Sequence, residues 1–181
     1  MADDPPAPDG WLLRERPDVL DVGTLLDRFG QVHRYPVPDG AHLDAVEAGQ
    51  RCVLLRTNRS RVVGLWAIGE VVAPVLRLPA NAEHPAAPSD PGALAVDGRV
   101  AYLEVELLPF AKPLALEELL GEPVLAAGAL GRDLDDPGPD PRPLSRAELR
   151  AIEAQEFWID APDDDQQAAL DRLLAAEEAE G

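Results

Sequence analysis

Arg51-Cys52-Val53-Leu54-Leu55-Arg56-Thr57-Asn58-Arg59-Ser60-Arg61-Val62-Val63-Gly64-Leu65-Trp66-Ala67-Ile68-Gly69-Glu70-Val71-Val72 decides the fold. Its first part, Arg51–Thr57, is rich in β-branched and aliphatic residues and predicts a strand with Val53 and Leu55 on one face. Asn58-Arg59-Ser60 has the composition of a hairpin turn. Arg61–Val72 then predicts a long returning strand. Gly64 and Gly69 interrupt it where a curved or barrel-like sheet needs bends or bulges.

Upstream, Trp11-Leu12-Leu13-Arg14 predicts a first strand, broken at Pro17. Val19, Val22, Leu25, Leu26 and Phe29 recur at helical spacing between a capping Asp18 and a stop at Gly30. Gln31–Val37 alternates as a short strand and ends at the turn Pro38-Asp39-Gly40; His42–Ala48 predicts a short helix. Downstream, residues 79–98 carry four prolines and predict a long loop. Arg99–Leu108 alternates cleanly as a strand. Pro113–Leu120 and Pro123–Leu130 predict two short helices, and residues 132–143 a second loop. Ser145 followed by Glu148 forms a capping box for a helix running to Phe157 or Trp158. Asp163–Glu180 predicts an acidic helix with Leu170, Leu173 and Leu174 on one side. Strands and helices do not alternate regularly, which excludes a doubly wound sheet. The expectation is an α+β domain over residues 11–160, built on a curved mixed sheet or partial β-barrel flanked by helices. Residues 1–10 predict a disordered leader, and residues 161–181 an acidic C-terminal helix or tail.

The composition sets further limits. One cysteine, Cys52, excludes an internal disulfide framework. The acidic, Pro-rich start has no secretory pattern, and no apolar run reaches membrane-spanning length, so a cytoplasmic protein without membrane contact is expected. The net charge of −18 argues against extensive non-specific nucleic-acid binding. The charge is uneven: Arg51, Arg56, Arg59, Arg61 and Arg77 stand against Glu70 alone in residues 51–77.

Catalytic and metal-binding patterns are missing from the sequence. His33, His42 and His84 lie in separate segments without ligand spacing. Cys52 sits mid-strand and reads as buried and inert. There is no nucleophile elbow, no P-loop and no dinucleotide fingerprint. Asp163-Asp164-Asp165 lacks the alternation of a calcium loop and suits a helix N-terminus. No cofactor, metal or enzymatic activity is expected. A binding site is the remaining expectation. Trp11 reads equally as core or pocket wall, whereas Trp66 and Trp158 read as packing residues. The stretch from Leu54 to Ser60 joins a strand end to Arg, Thr and Asn side chains, which suit phosphate, a base edge or another polar ligand. It reads equally as a polar hairpin turn.

In their order along the chain these segments resemble the EVE domain of the PUA/YTH/ASCH-like superfamily. Trp11-Leu12-Leu13-Arg14-Glu15-Arg16-Pro17 is similar to the family's opening strand. Arg34-Tyr35 sits where an Arg and a polar or aromatic residue are usual. Gly49–Thr57 and Val62–Val72 look like the two strands that follow. Tyr102–Val105, Pro113–Leu119 and Pro143–Leu149 look like the later strand and helices. Gln50 replaces a common Asp, Arg56-Thr57 replaces His-Ser, and no Trp precedes the Arg34 strand. The resemblance implies a PUA-like fold with a pocket for a modified base of DNA or RNA. By position its candidate residues are Trp11, Arg14, Arg34, Tyr35, Arg56, Thr57 and Asn58. Two other functions compete: an interaction module that docks a basic partner through the acidic C-terminal helix, and a nuclease using Lys112 or Tyr35.

Overall fold

The computed structural model describes residues 8–15, 22, 32–58, 61–81, 88, 92, 94–135 and 140–156. The leader before Pro8, most of the first expected helix, the Arg59-Ser60 turn, Trp158 and the C-terminal acidic helix lie outside the described residues. Val22, within that first helix, is helical and fully buried.

The strands are β1 (Gly10–Arg14), β2 (Val32–Val37), β3 (Arg51–Asn58), β4 (Arg61–Pro79), β5 (Arg99–Ala115) and β6 (Arg142–Leu144). Among the described residues they form one six-stranded sheet in the order β2-β5-β4-β3-β1-β6, in which only β1 and β3 run parallel and the other pairs are antiparallel. A short 3-10 helix covers Ala41–Ala45. Among the described residues the α-helices are α1 (Leu116–Leu120), α2 (Pro123–Ala127), α3 (Ala129–Asp135) and α4 (Arg146–Glu156). The fold is α+β on a curved mixed sheet, as the sequence predicts.

The sheet buries both faces, which explains the unbroken apolar runs in β1 and β3. Trp11, Leu13, Cys52, Leu54, Ala67, Val71, Leu103, Val105 and Leu107 pack on one face with Tyr35 and Val37. Leu12, Val53, Leu55, Leu65, Ile68, Phe110 and Leu114 pack on the other, against Leu119, Leu125, Leu130, Leu149 and Ile152 of the helices. Curvature follows from one contact. Strands β2 and β1 lie four steps apart in the sheet, roughly 19 Å if it were flat. Yet the Tyr35 hydroxyl donates to the Arg14 carbonyl. The sheet curls until its first and fifth strands meet across the core. Register shifts in β3–β4 and β4–β5 produce the bend. Gly69 sits within that pairing, where a Cβ would fall 1.7 Å from the Glu106 carbonyl oxygen.

Several boundaries differ from the sequence expectation. Strands β4 and β5 run on to Pro79 and Ala115, so the helix expected from Pro113 begins at Leu116. The helix expected over Pro123–Leu130 is two helices, because Gly128 breaks it. A strand, β6, emerges from the Pro-rich stretch expected to be loop, and it pairs with β1.

Candidate functional site

Parallel pairing of β1 and β3 sets Leu13 beside Leu54 on the face that holds Trp11 and Tyr35. Alternation then sends Glu15 and Arg56 to that same face, just beyond the last apolar pair. The two meet there: Arg56 Nε lies 4.0 Å from Glu15 Oε2. Glu15 is only 6% exposed, an unusual state for a carboxylate. Its backbone N–H donates to the Leu55 carbonyl at 2.8 Å, which extends the β1–β3 ladder by one rung and fixes the side chain's direction.

The Arg56 guanidinium lies over the Trp66 ring, 3.8 Å from its centroid. Trp66 is half-buried and packs against the core on this face. A guanidinium on an indole is a cation–π stack, worth about 0.5–2 kcal/mol depending on desolvation. The Arg56 side chain remains 42% exposed, so part of it faces solvent. The result is a flat cationic platform, backed by an aromatic ring and edged by a buried carboxylate.

Two clamps hold the end of β1 in place. Tyr35 donates its hydroxyl to the Arg14 carbonyl. The Arg14 N–H donates to Asp140 Oδ1 at 3.1 Å, from a buried residue at the entry to β6. His42 Nε2 lies 3.3 Å from the Asp140 carbonyl. These contacts fix the peptide that precedes Glu15.

The residues expected to form a pocket therefore separate. Trp11 is a core residue, 1% exposed, and its indole N–H donates to Gln50 Oε1 at 2.7 Å. Tyr35, 2% exposed, is likewise a core residue and serves as a clamp. Neither ring offers a surface for stacking. Arg34 points to the opposite face, where it pairs with Glu104 and donates from Nε at 2.7 Å. Arg14, next to Glu15, also alternates toward that opposite face. Thr57 and Asn58 end β3 opposite Val62 and Arg61, and their side chains lie outside the described part of the structure. Of the expected set, Arg56 is at the centre of the site, and Trp66 and Glu15 join it. Sequence reasoning missed Glu15 because Arg14-Glu15-Arg16 resembles an ordinary solvated charge run. A signal was present: in two apolar parallel strands, opposite charges follow the same buried pair.

Other chemistry is sparse on the described part of the chain. Among the described residues no group of three His, Cys, Asp or Glu side chains could hold a metal ion. Cys52 is fully buried, and burial pushes its thiol up to about 12. Asp39 is held below its ordinary range chiefly by hydrogen bonding to Arg77, a tie between the β2 turn and the far end of β4. Among the described residues no helix is long and apolar enough to cross a membrane.

No protein-family model and no curated protein matches the chain. Solved structures do resemble it. A Pseudomonas syringae protein, determined by X-ray crystallography, aligns with a TM-score of 0.55 and 18% identity over 81% of this chain and 98% of its own. A Rhodopseudomonas palustris protein, determined by NMR, gives a TM-score of 0.55 and 16% identity over 83% of this chain and 94% of its own. A hypothetical protein from Leishmania major gives 0.52 and 18%, covering 81% of this chain and 93% of its own. At such identity the likeness shows the fold alone: this chain shares an architecture with proteins from two groups of bacteria and a protozoan.

Proposed function

We propose that this domain is a non-enzymatic reader of a single nucleobase, a modified one, in DNA or RNA. The observation that carries the reading is the Arg56–Trp66 stack with Glu15 at its edge. Bases are flat, and proteins hold unpaired ones by stacking on aromatic or guanidinium planes and hydrogen-bonding their edges. The guanidinium–indole stack and the carboxylate 4.0 Å from it on the same sheet face support this reading. That the base is modified rests on the resemblance to the EVE domain. On this reading the protein is cytoplasmic.

The charge pattern is compatible with this function. A net charge of −18 opposes a long phosphate track. It does not oppose a local pocket, because charges beyond roughly 8–10 Å are largely screened at physiological salt. Arg56 belongs to the one basic stretch of the chain.

The test is calorimetric titration of the purified protein with normal and modified nucleosides and short single strands, at low and physiological salt. One base should bind at both salt concentrations, and Arg56→Ala should weaken it by about ten-fold or more. Absence of binding across the panel would remove the reading. Attention would then pass to residues 161–181, with seven acids against Arg172 alone, as a docking segment for a basic protein.

A further inference from the structure

The sheet face turned away from Arg56 and Trp66 is only partly covered. At one end the helices pack on Ile68, Phe110 and Leu114. At the other, Leu94 from the β4–β5 connection packs on Val100 and Tyr102. Between these two covers the strands meet solvent. Leu108 is 56% exposed there and Val72 40%, beside the exposed Glu70 and Glu106. From this strip we infer a second binding surface, which docks a basic amphipathic helix of a partner protein. It is independent of base binding on the other face.

Charge complementarity selects the partner. Glu70 and Glu106 stand directly opposite each other on β4 and β5, and like charges so placed destabilise a sheet. Among the described residues neither carboxylate has an ion pair or hydrogen bond. The nearby cations are engaged elsewhere. Arg51, opposite Glu70 on β3, pairs with Glu153 at 3.2 Å, and Arg34 pairs with Glu104. Among the described residues no three ligands converge to hold a metal ion. One guanidinium or ammonium group between the two carboxylates would balance both, with its alkyl stem on the apolar side chains. The register fixes the spacing. Leu108 lies one row to one side of the acidic pair and Val72 one row to the other, about 13 Å apart along the strands. Two turns of helix cover about 11–12 Å, so apolar, basic and apolar side chains one turn apart match the strip. The net charge of −18 draws such a partner in.

The probe is a synthetic helical peptide with leucine, arginine and leucine one turn apart on one face and alanine elsewhere. It is titrated into isotope-labelled protein and followed by heteronuclear NMR. The amides of Glu70, Val72, Glu106 and Leu108 should shift. Glu70→Gln combined with Glu106→Gln should weaken binding by roughly three-fold to thirty-fold, the worth of two exposed ion pairs. Glu117→Gln combined with Glu118→Gln removes the same charge from exposed positions on α1 and should change affinity by less than about two-fold at physiological salt. A peptide with serine in place of leucine should bind more weakly. Without any peptide, Glu70→Gln should raise the thermal unfolding midpoint, because it relieves the cross-strand repulsion. Equal losses in the two double variants, equal binding of the serine peptide, or no binding at all overturns the inference. A lower midpoint for Glu70→Gln overturns it as well. Circular dichroism checks that the Glu70/Glu106 double variant folds; if it does not, Glu106→Gln is compared with Glu118→Gln instead.

Discussion

Tyr35 and Cys52 share one core and differ in what burial asks of them. Tyr35 places its hydroxyl on the Arg14 carbonyl, so Tyr35→Phe leaves that carbonyl without this donor. The variant should lose about 1 kcal/mol of stability in thermal or denaturant unfolding. Base binding should weaken by a few-fold as the end of β1 loosens, a smaller loss than Arg56→Ala causes. Cys52 has no comparable partner to offer, and its thiol is pushed up from 9.0 to about 12 by burial. A thiol reagent at pH 8 should leave the native protein unlabelled and label it fully in denaturant. The sign of the pH dependence follows. Above pH 9 the unfolded thiol ionises while the folded one stays protonated to about 12, so this group lowers stability as pH rises through that window.

The helices hang together through Glu148, a buried residue in the first turn of α4. Its Oε2 accepts from the Ser145 N–H at 2.9 Å and the Ser145 hydroxyl at 2.7 Å, completing the expected capping box. Its Oε1 accepts from the N–H of Ala129, the first residue of α3. One carboxylate thus caps two helices. Gly128 leaves room beside it: a Cβ there would fall 2.1 Å from Oε1 and 2.7 Å from the Val124 carbonyl oxygen, a backbone atom. Glu148→Ala should cost about 2–4 kcal/mol, the sum of a lost cap and a stranded buried N–H, read as a lower unfolding midpoint. This element shows what the sequence could and could not reveal. The capping box is local and legible from Ser145 and Glu148. The break at Gly128 depends on a residue twenty positions later and is not. Proline misled in the same way. Pro74 falls within the register shift between Ala73 and Leu76, and Pro143 lies on the edge strand β6. Both are places where a strand tolerates a missing N–H, so β4 outran its expected end and β6 went unforeseen.

At the scale of the whole molecule, the curl of the sheet creates the site. It brings Tyr35 of β2 to the end of β1, where Glu15 and Arg56 already meet through strand pairing. The curvature was legible in outline from Gly64 and Gly69. The identity of the site was not, because the same curl that makes it buries Trp11 and Tyr35 and turns Arg34 away toward Glu104. A site that grips a base and touches few phosphates should depend weakly on salt. The log of affinity against the log of salt concentration should have a slope of about −1 to −2, where a protein tracking many phosphates would show about −6 or steeper.

The central claim is that a base binds on Arg56 and Trp66, and heteronuclear NMR tests it most directly. Titration of an isotope-labelled sample with the base selected by calorimetry should shift the Trp66 indole N–H and the Arg56 Nε–H. The Trp11 indole N–H, buried on Gln50, should stay in place. Shifts confined to other parts of the molecule, with Arg56 and Trp66 unmoved at saturation, would contradict the account.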